Sequence, residues 1–359
     1  MGFDRTKPYN ELPPLPPPVE LETKAVLKQA ISANRMLADL KGLARQIPNQ
    51  GVLINGIVLQ EARLSSEIEN IVTTNDELYR AAADMEGSTN PHTKEVLRYR
   101  QALWTGFKGL QERPLSTNLF INIVRNIKQA DMDIRKVTGT ALKNQQGDVV
   151  YTPPEGESII RDKLANLENF IHADDGLDPL VKLAVVHYQF EAIHPFPDGN
   201  GRTGRIINIL YLVEKGLLDI PVLFLSQYIL RNKVDYYAGL RGVTEQNSWE
   251  PWVLFMLRAI EETAQRTSAR VQRILTMMDE VKTTVQEKAN KIYSKDLIET
   301  IFMHPYCKIK FVEEAGIAKR QTASEYLKVL AQLDILRPEK VGREVYYIND
   351  HLYKVLVEE

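Results

Sequence analysis

Cysteine is almost missing from this 359-residue chain, where Cys307 stands alone. One thiol excludes an internal disulfide and a cysteine zinc site. It follows the largely apolar stretch Phe302–Tyr306 and reads as a small buried hydrophobe. No uninterrupted apolar run approaches the roughly 18 residues that a membrane span needs. The opening Met1-Gly2-Phe3-Asp4-Arg5-Thr6 lacks an apolar signal region, although Gly2 and Thr6 fit the loose myristoylation pattern. The expectation is a cytoplasmic protein with no membrane partner. An excess of one charge is lacking too: 45 basic residues against 47 acidic ones leave a net charge of −2. That balance argues against a surface that coats nucleic acid or anionic lipid, and it leaves room for a local basic pocket. With 44% hydrophobic and 26% charged residues the chain is not composed for disorder, and its length suggests two or three domains.

The pattern divides the chain into five stretches: a proline-rich arm (1–22), a helical region (23–92), a core (93–265), a linking helix (266–293) and a C-terminal unit (294–359). In the arm, Leu12-Pro13-Pro14-Leu15-Pro16-Pro17-Pro18 predicts extended polyproline II laid along its own domain. Apolar residues at three- and four-residue spacing predict helices from Val26 to Leu43, Val52 to about Arg63, Asn75–Met85, Thr93–Gln111 and Ser116–Ile127. Val137–Leu142 and Val149–Thr152, flanking Asn144–Asp148, read as a hairpin. Its open edges are awkward unless something pairs with them. Helices follow at Glu157–His172, Asp178–Ile193, Arg202–Lys215, Val234–Val243 and Trp252–Val281.

The segment His194-Pro195-Phe196-Pro197-Asp198-Gly199-Asn200-Gly201-Arg202-Thr203-Gly204-Arg205 joins two of these helices and reads as a phosphate site. Two prolines deny the loop an ordinary ladder, and three glycines let backbone approach a ligand. Asn200 reads as an N-cap, and the following helix aims its free amides and positive dipole end at the loop. Arg202 and Arg205 share a face, Asp198 offers a hard oxygen ligand of the kind magnesium takes beside phosphates, and His194 supplies an acid–base group. Gly199–Gly204 also spells a dinucleotide fingerprint, but a helix and a Pro-x-Pro loop precede it where a strand is required. A P-loop is excluded by the missing Gly-Lys-Ser/Thr. The bland alternative is a glycine-rich helix start with surface arginines.

His194–Arg205 resembles the Fic-family motif His-x-Phe-x-(Asp/Glu)-Gly-Asn-Gly-Arg-x-x-Arg at every defined position. The resemblance covers roughly residues 90–260. It implies a mainly α fold, a Fic-like helical core with a β-hairpin flap, followed here by a small α+β unit. It also implies a nucleotidyltransferase that moves AMP from ATP to a Ser, Thr or Tyr hydroxyl of a target protein, with Mg2+ as cofactor. His194 would be the catalytic base and Asp198 the metal ligand. Phe196, Asp198, Gly199, Asn200, Gly201, Arg202, Thr203, Gly204 and Arg205 would bind nucleotide, with Tyr236 and Tyr237 flanking adenine. Gly201 stands where a phosphorylating branch carries Lys. Val149, Val150 and Tyr151 would form the flap edge that docks the target as an added strand.

Ser65-Ser66-Glu67-Ile68-Glu69-Asn70 resembles the family's inhibitory pattern (Ser/Thr)-x-x-x-Glu-(Gly/Asn), with Ser65, Glu69 and Asn70 at its defined positions. In that reading Glu69 pairs with Arg205 and takes the place of the ATP γ-phosphate. The competing reading is a capping box, Ser66-x-x-Glu69, opening the next helix. In the C-terminal unit, helices at Leu297–Met303, Ile309–Ala315 and Ala318–Leu333 precede two strands around Gly342, a pattern that resembles a winged helix. Its stretch Lys308–Val345 holds eight basic and six acidic residues, a thin footprint for nucleic acid, so protein docking or a homodimer is preferred. The alternatives for the whole chain are a hydrolase that removes AMP at the same site and an ATP-sensing DNA-binding regulator.

Overall fold

Thr23 starts the first helix, its hydroxyl accepting the Val26 N–H, and α1 runs Lys24–Ala44 with Val26, Ala30, Ala33, Leu37 and Leu40 inward. The computed structural model describes residues 3–84, 90–144 and 146–358; Met1, Gly2, Met85 and Gln145 of the sequence patterns lie outside them. Next comes one rod in three parts: α2 (Gly51–Leu53), a π-helical turn (Ile54–Val58) and α3 (Leu59–Ile68). It runs past the expected stop near Arg63. A short loop leads to α4 (Asn75–Asp84); α5 (Pro91–Gly109) and α6 (Thr117–Lys128) then pack as neighbours.

The hairpin is shorter than its sequence pattern. Only β1 (Leu142–Lys143) and β2 (Val149–Tyr151) pair, with an irregular register, and Val137 is 76% exposed. The apolar spacing before Leu142 has no face to bury against, so that stretch stays irregular. Beyond it lie α7 (Glu157–His172), α8 (Pro179–Ile193) and α9 (Asn200–Glu214). Helix α8 is apolar on all sides because it is enclosed on all sides, with almost every residue buried. A helix absent from the sequence reading, α10 (Leu225–Arg231), precedes α11 (Lys233–Gln246) and the long α12 (Trp249–Lys288), which packs along α1.

The N-terminal arm lies on its own domain. Leu12, Leu15 and Leu21 are buried, Asn166 bonds both the N–H and the carbonyl of Leu15, and Lys163 donates to the Leu12 carbonyl. Its first residues turn rather than extend, with backbone bonds Lys7 to Asp4 and Leu12 to Tyr9.

After a short 3-10 turn (Asn290–Ile292), the C-terminal unit comprises α13 (Lys295–Met303), β3 (Tyr306–Cys307), α14 (Ile309–Glu314), α15 (Arg320–Gln332), β4 (Arg337–Val341), β5 (Glu344–Ile348) and α16 (Asp350–Val357). The strands form an antiparallel sheet in the order β3-β5-β4. Cys307 is fully buried, and burial pushes its thiol up to about 12. This unit sits on the rod and on α4. Met303 closes over Gly51, Leu356 over Gly56, and Tyr306 and Tyr346 donate to Asp76 and Asp84, each at 2.6 Å. No helix among the described residues is long and apolar enough to cross a membrane.

Candidate active site

The loop from His194 to Gly199 is held shut by Asn200. Its side-chain oxygen accepts the Phe196 N–H (2.8 Å) and its amide donates to the Phe196 carbonyl (2.7 Å). Asn200 is therefore the first helical residue and a loop clasp, not the expected N-cap; Gly199 takes the cap position at φ 82°. A side chain at Gly199 would be strained by that φ and would crowd Val124. The first backbone bond into α9 runs from Thr203 to Gly199 (3.0 Å), so the amides of Asn200, Gly201 and Arg202 precede the ladder and point out of the helix end. Phe196 and Thr203 are wholly buried core side chains, with Phe196 6.3 Å from the Phe190 ring.

His194 ends α8 in the left-handed conformation (φ 48°, ψ 58°), which turns its ring out of the helix line. Its Nδ1 is buried with no hydrogen-bond partner. Burial, with the nearby Arg135 charge, pushes the imidazole down to about 4, so it is neutral at ordinary pH. Arg135 is a residue that sequence reasoning missed. It is itself buried, its Nε donates to the His194 carbonyl (2.8 Å), its Nη2 to Ile193 (3.3 Å) and Pro154, and its backbone N–H to Pro195 (2.9 Å). One guanidinium thus ties the loop after α8 to the segment after the hairpin. Tyr151 adds a second tie, its hydroxyl donating to the Ala192 carbonyl at 2.8 Å. Val149 and Val150 are half-buried beside it, and the arm's Tyr9 N–H bonds the Thr152 carbonyl just past β2.

Asp198 is 59% exposed and pairs with Lys128 at 2.5 Å. Partial burial alone would raise its pKa, but Lys128 holds the carboxyl below its usual range. Glu95 bridges Arg202 (2.7 Å) and Lys128 (3.6 Å), which fixes both cations beside the helix end. Lys128 and Glu95 come from other helices and carry no local signature.

Arg205 is 1% exposed. Its Nε donates to the Ser65 hydroxyl (2.8 Å), and its Nη2 donates to the Ser65 carbonyl and to Glu69 Oε1 (2.9 Å each). Ser65 in α3 and Glu69, the residue that ends it, are four residues apart, lie on one side of the helix end and both reach this guanidinium. Burial would raise the Glu69 carboxyl, yet Arg205 holds it below its ordinary value. The capping-box alternative is overturned because Ser66 and Glu69 end a helix. Ile71 N–H bonds the Ser66 carbonyl and Asn70 N–H the Glu67 carbonyl (3.0 Å each), a Schellman closure with Asn70 at φ 62°. The Gly/Asn preference at that position of the pattern has this physical cause. Lys233 donates to the Ile68 carbonyl (2.7 Å), capping the same end. A side chain on Gly201 would press on Glu69 Oε1 at 2.5 Å, so the glycine makes room for the carboxylate.

Behind Arg205, Glu61 is fully buried and accepts from the Ser226 amide (3.1 Å), the Ser226 hydroxyl and Tyr99 (3.3 Å). Burial pushes it up to about 7. Tyr236 is buried with its hydroxyl 2.9 Å from His187 Nε2, whereas Tyr237 is 43% exposed; only the second offers a face to a ligand.

Residues 27–108 match the profile described as Fic/DOC family N-terminal, residues 114–212 that of the Fic/DOC family, and residues 277–352 that of the protein adenylyltransferase SoFic-like C-terminal domain. A protein of Aquifex aeolicus named probable protein adenylyltransferase is 28% identical over 190 residues, 53% of this chain and 54% of that one. Protein adenylyltransferase fic-1 of Caenorhabditis elegans is 29% identical over 141 residues, 37% of this chain and 26% of that one. The chain thus spans about half the length of the first relative and about a quarter of the second. Among solved structures, a Fic family protein from Desulfovibrio desulfuricans G20 aligns over 92% of this chain and 98% of its own, with a TM-score of 0.57 and 20% identity. Fic-1 from C. elegans aligns over 69% and 74%, with a TM-score of 0.53 and 20% identity. At these identities the structural likeness shows the fold.

Proposed function

Because this chain belongs to the Fic/DOC family, we propose that it transfers AMP from ATP to a Ser, Thr or Tyr hydroxyl of a target protein, itself included, with release of pyrophosphate. The observation that carries this reading is the neutral, unpartnered His194 imidazole on the rim of an amide-rich helix end that two buried arginines flank. The target hydroxyl oxygen attacks the α-phosphorus and its proton passes to His194. The bond from phosphorus to the α,β-bridging oxygen breaks, and its electron pair leaves with pyrophosphate. The amides of Asn200, Gly201 and Arg202 face the developing charge, which they meet without reorganising. The flap edge at Val149–Tyr151 pairs with the target strand and sets its register.

Asp198 is the residue for Mg2+. A single half-exposed carboxylate suits an ion held mostly by substrate phosphates, and no cluster of three or more acidic, His or Cys donors occurs among the described residues. The ion would neutralise phosphate charge there, and Lys128 would yield one carboxylate oxygen to it. Glu69 acts as a brake: while it holds Arg205, the terminal phosphate has no cation to settle on. The C-terminal unit, whose charges nearly balance, serves protein docking rather than nucleic acid in this reading.

The test is incubation with Mg2+ and ATP labelled at the α-phosphate. Strong labelling of protein is expected in Glu69→Gly, weak labelling in the wild type and none in His194→Ala. Absence of label in all three, with cell extract present, overturns the reading.

A further inference from the structure

Two layers, one helical turn apart, lie between α8, α9 and α11. The lower layer is filled. His187 of α8 accepts from Asn208 Nδ2 of α9 (3.0 Å) and reaches the Tyr236 hydroxyl of α11 (2.9 Å), with Trp252 stacked on its ring. The upper layer, four residues along α8 toward His194, holds Glu191. Four residues back along α9, the residue facing it is Gly204. Where Asn208 supplies a hydrogen-bond partner below, Gly204 supplies nothing above, and a Cβ there would run into Glu191 Oε1. That oxygen is buried without a hydrogen-bond partner, and Glu191 forms no ion pair among the described residues. Arg205, the residue after Gly204, and its partner Glu69 both act on it through space. Burial pushes the carboxyl up to about 7, the state of a group that lacks the donors it needs to ionise.

We infer that Glu191, whose unpartnered oxygen packs into the space that Gly204 leaves free of a side chain, is a specificity residue that receives the ribose hydroxyls of the bound nucleotide. The inference rests on the adenylyl-transfer reading. With phosphates at the end of α9, Gly204 lies three residues, about 4.5 Å, along the axis from Gly201. The moiety joined to the α-phosphate is the sugar, and the base lies one ring further. Vicinal hydroxyls are two O–H donors, and a carboxylate is the side chain that accepts both.

The experiment uses the full chain carrying Glu69→Gly, with Mg2+, and measures dissociation constants calorimetrically for ATP, 2′-deoxy-ATP, 3′-deoxy-ATP and ITP. This parent should bind at least one deoxy analogue about tenfold more weakly than ATP. Adding Glu191→Val should weaken ATP by a similar factor and make ATP and the deoxy analogues equal. Glu191→Gln, which is isosteric and keeps one acceptor, should fall between them and carries the test if the valine variant does not fold. The ratio of ITP to ATP should be unchanged throughout. Retention of the parent's ribose discrimination in both variants overturns the inference, as does a change confined to the ITP ratio. If the parent labels protein from ATP yet Glu191→Val still discriminates, the Glu191 role alone falls. If the parent binds no ATP, the transfer reading falls with it.

Discussion

Helices α9 and α15 both begin with two cations behind a loop, and the contrast between them separates a site from a surface. At α9, Arg202 and Arg205 are 3% and 1% exposed, each held by a carboxylate from a distant helix. The preceding loop is fixed by the Asn200 clasp and a left-handed Gly199. At α15, Lys319 and Arg320 are exposed, no side chain caps the helix, and neither cation forms an ion pair among the described residues. Burying a guanidinium is costly unless its partner is in place, so α9 spends fold stability on keeping charge in a dry position. Solvated cations at α15 cost nothing and commit the chain to nothing.

The largest expected effect breaks the contrast from the α9 side. Arg205→Lys keeps the charge and loses the planar fork, and transfer in the Glu69→Gly background should fall by about a hundredfold, read from initial labelling rates. Next, Arg135→Ala frees the His194 carbonyl and the segment behind the hairpin. Labelling should drop about tenfold with little change in ATP affinity, since the Arg135 guanidinium bonds only to backbone carbonyls around His194 and behind the hairpin. Asn200→Ala opens the loop clasp and should lower unfolding free energy by about 1–3 kcal/mol in a urea titration. The pH profile sharpens the same point. His194 binds its proton only near pH 4 instead of 6.5, so the labelling rate of Glu69→Gly should stay flat from pH 8 down to about 5.5. A fall centred near 6.5 would mean an exposed, ordinary imidazole. The smallest effect is at α15: Lys319→Ala with Arg320→Ala should leave labelling unchanged and stability within about 0.5 kcal/mol.

The contrast also marks what the sequence made legible. His194–Arg205 is contiguous, so base, amides and arginines could be read together. Ser65 and Glu69 are four apart and share a helix face, so their joint reach was readable once a distant arginine was supposed. Arg135, Lys128, Glu95 and Glu61 were invisible because their partners lie 59, 70, 107 and 165 residues away and nothing local distinguishes them. An asparagine at a helix start ordinarily caps it, whereas the Asn200 side chain folds back on the loop. The two-residue strand Tyr306–Cys307 exists only through its pairing with Tyr347 and Ile348, a long-range fact. The hairpin is shorter than its pattern for the opposite reason: β-propensity before Leu142 meets no surface to pack on.

The rod from Gly51 to Ile68 has one end under the C-terminal unit and the other in the active site. The eighteen steps from Gly51 to Glu69 make an arm of about 27 Å. A tilt of about two degrees at the far end would carry the Glu69 carboxylate about 1 Å, which is enough to stretch a 2.9 Å hydrogen bond beyond useful length. A rod moved as one body would carry a displacement of its Gly51 end, under Met303, to the contact between Glu69 and Arg205.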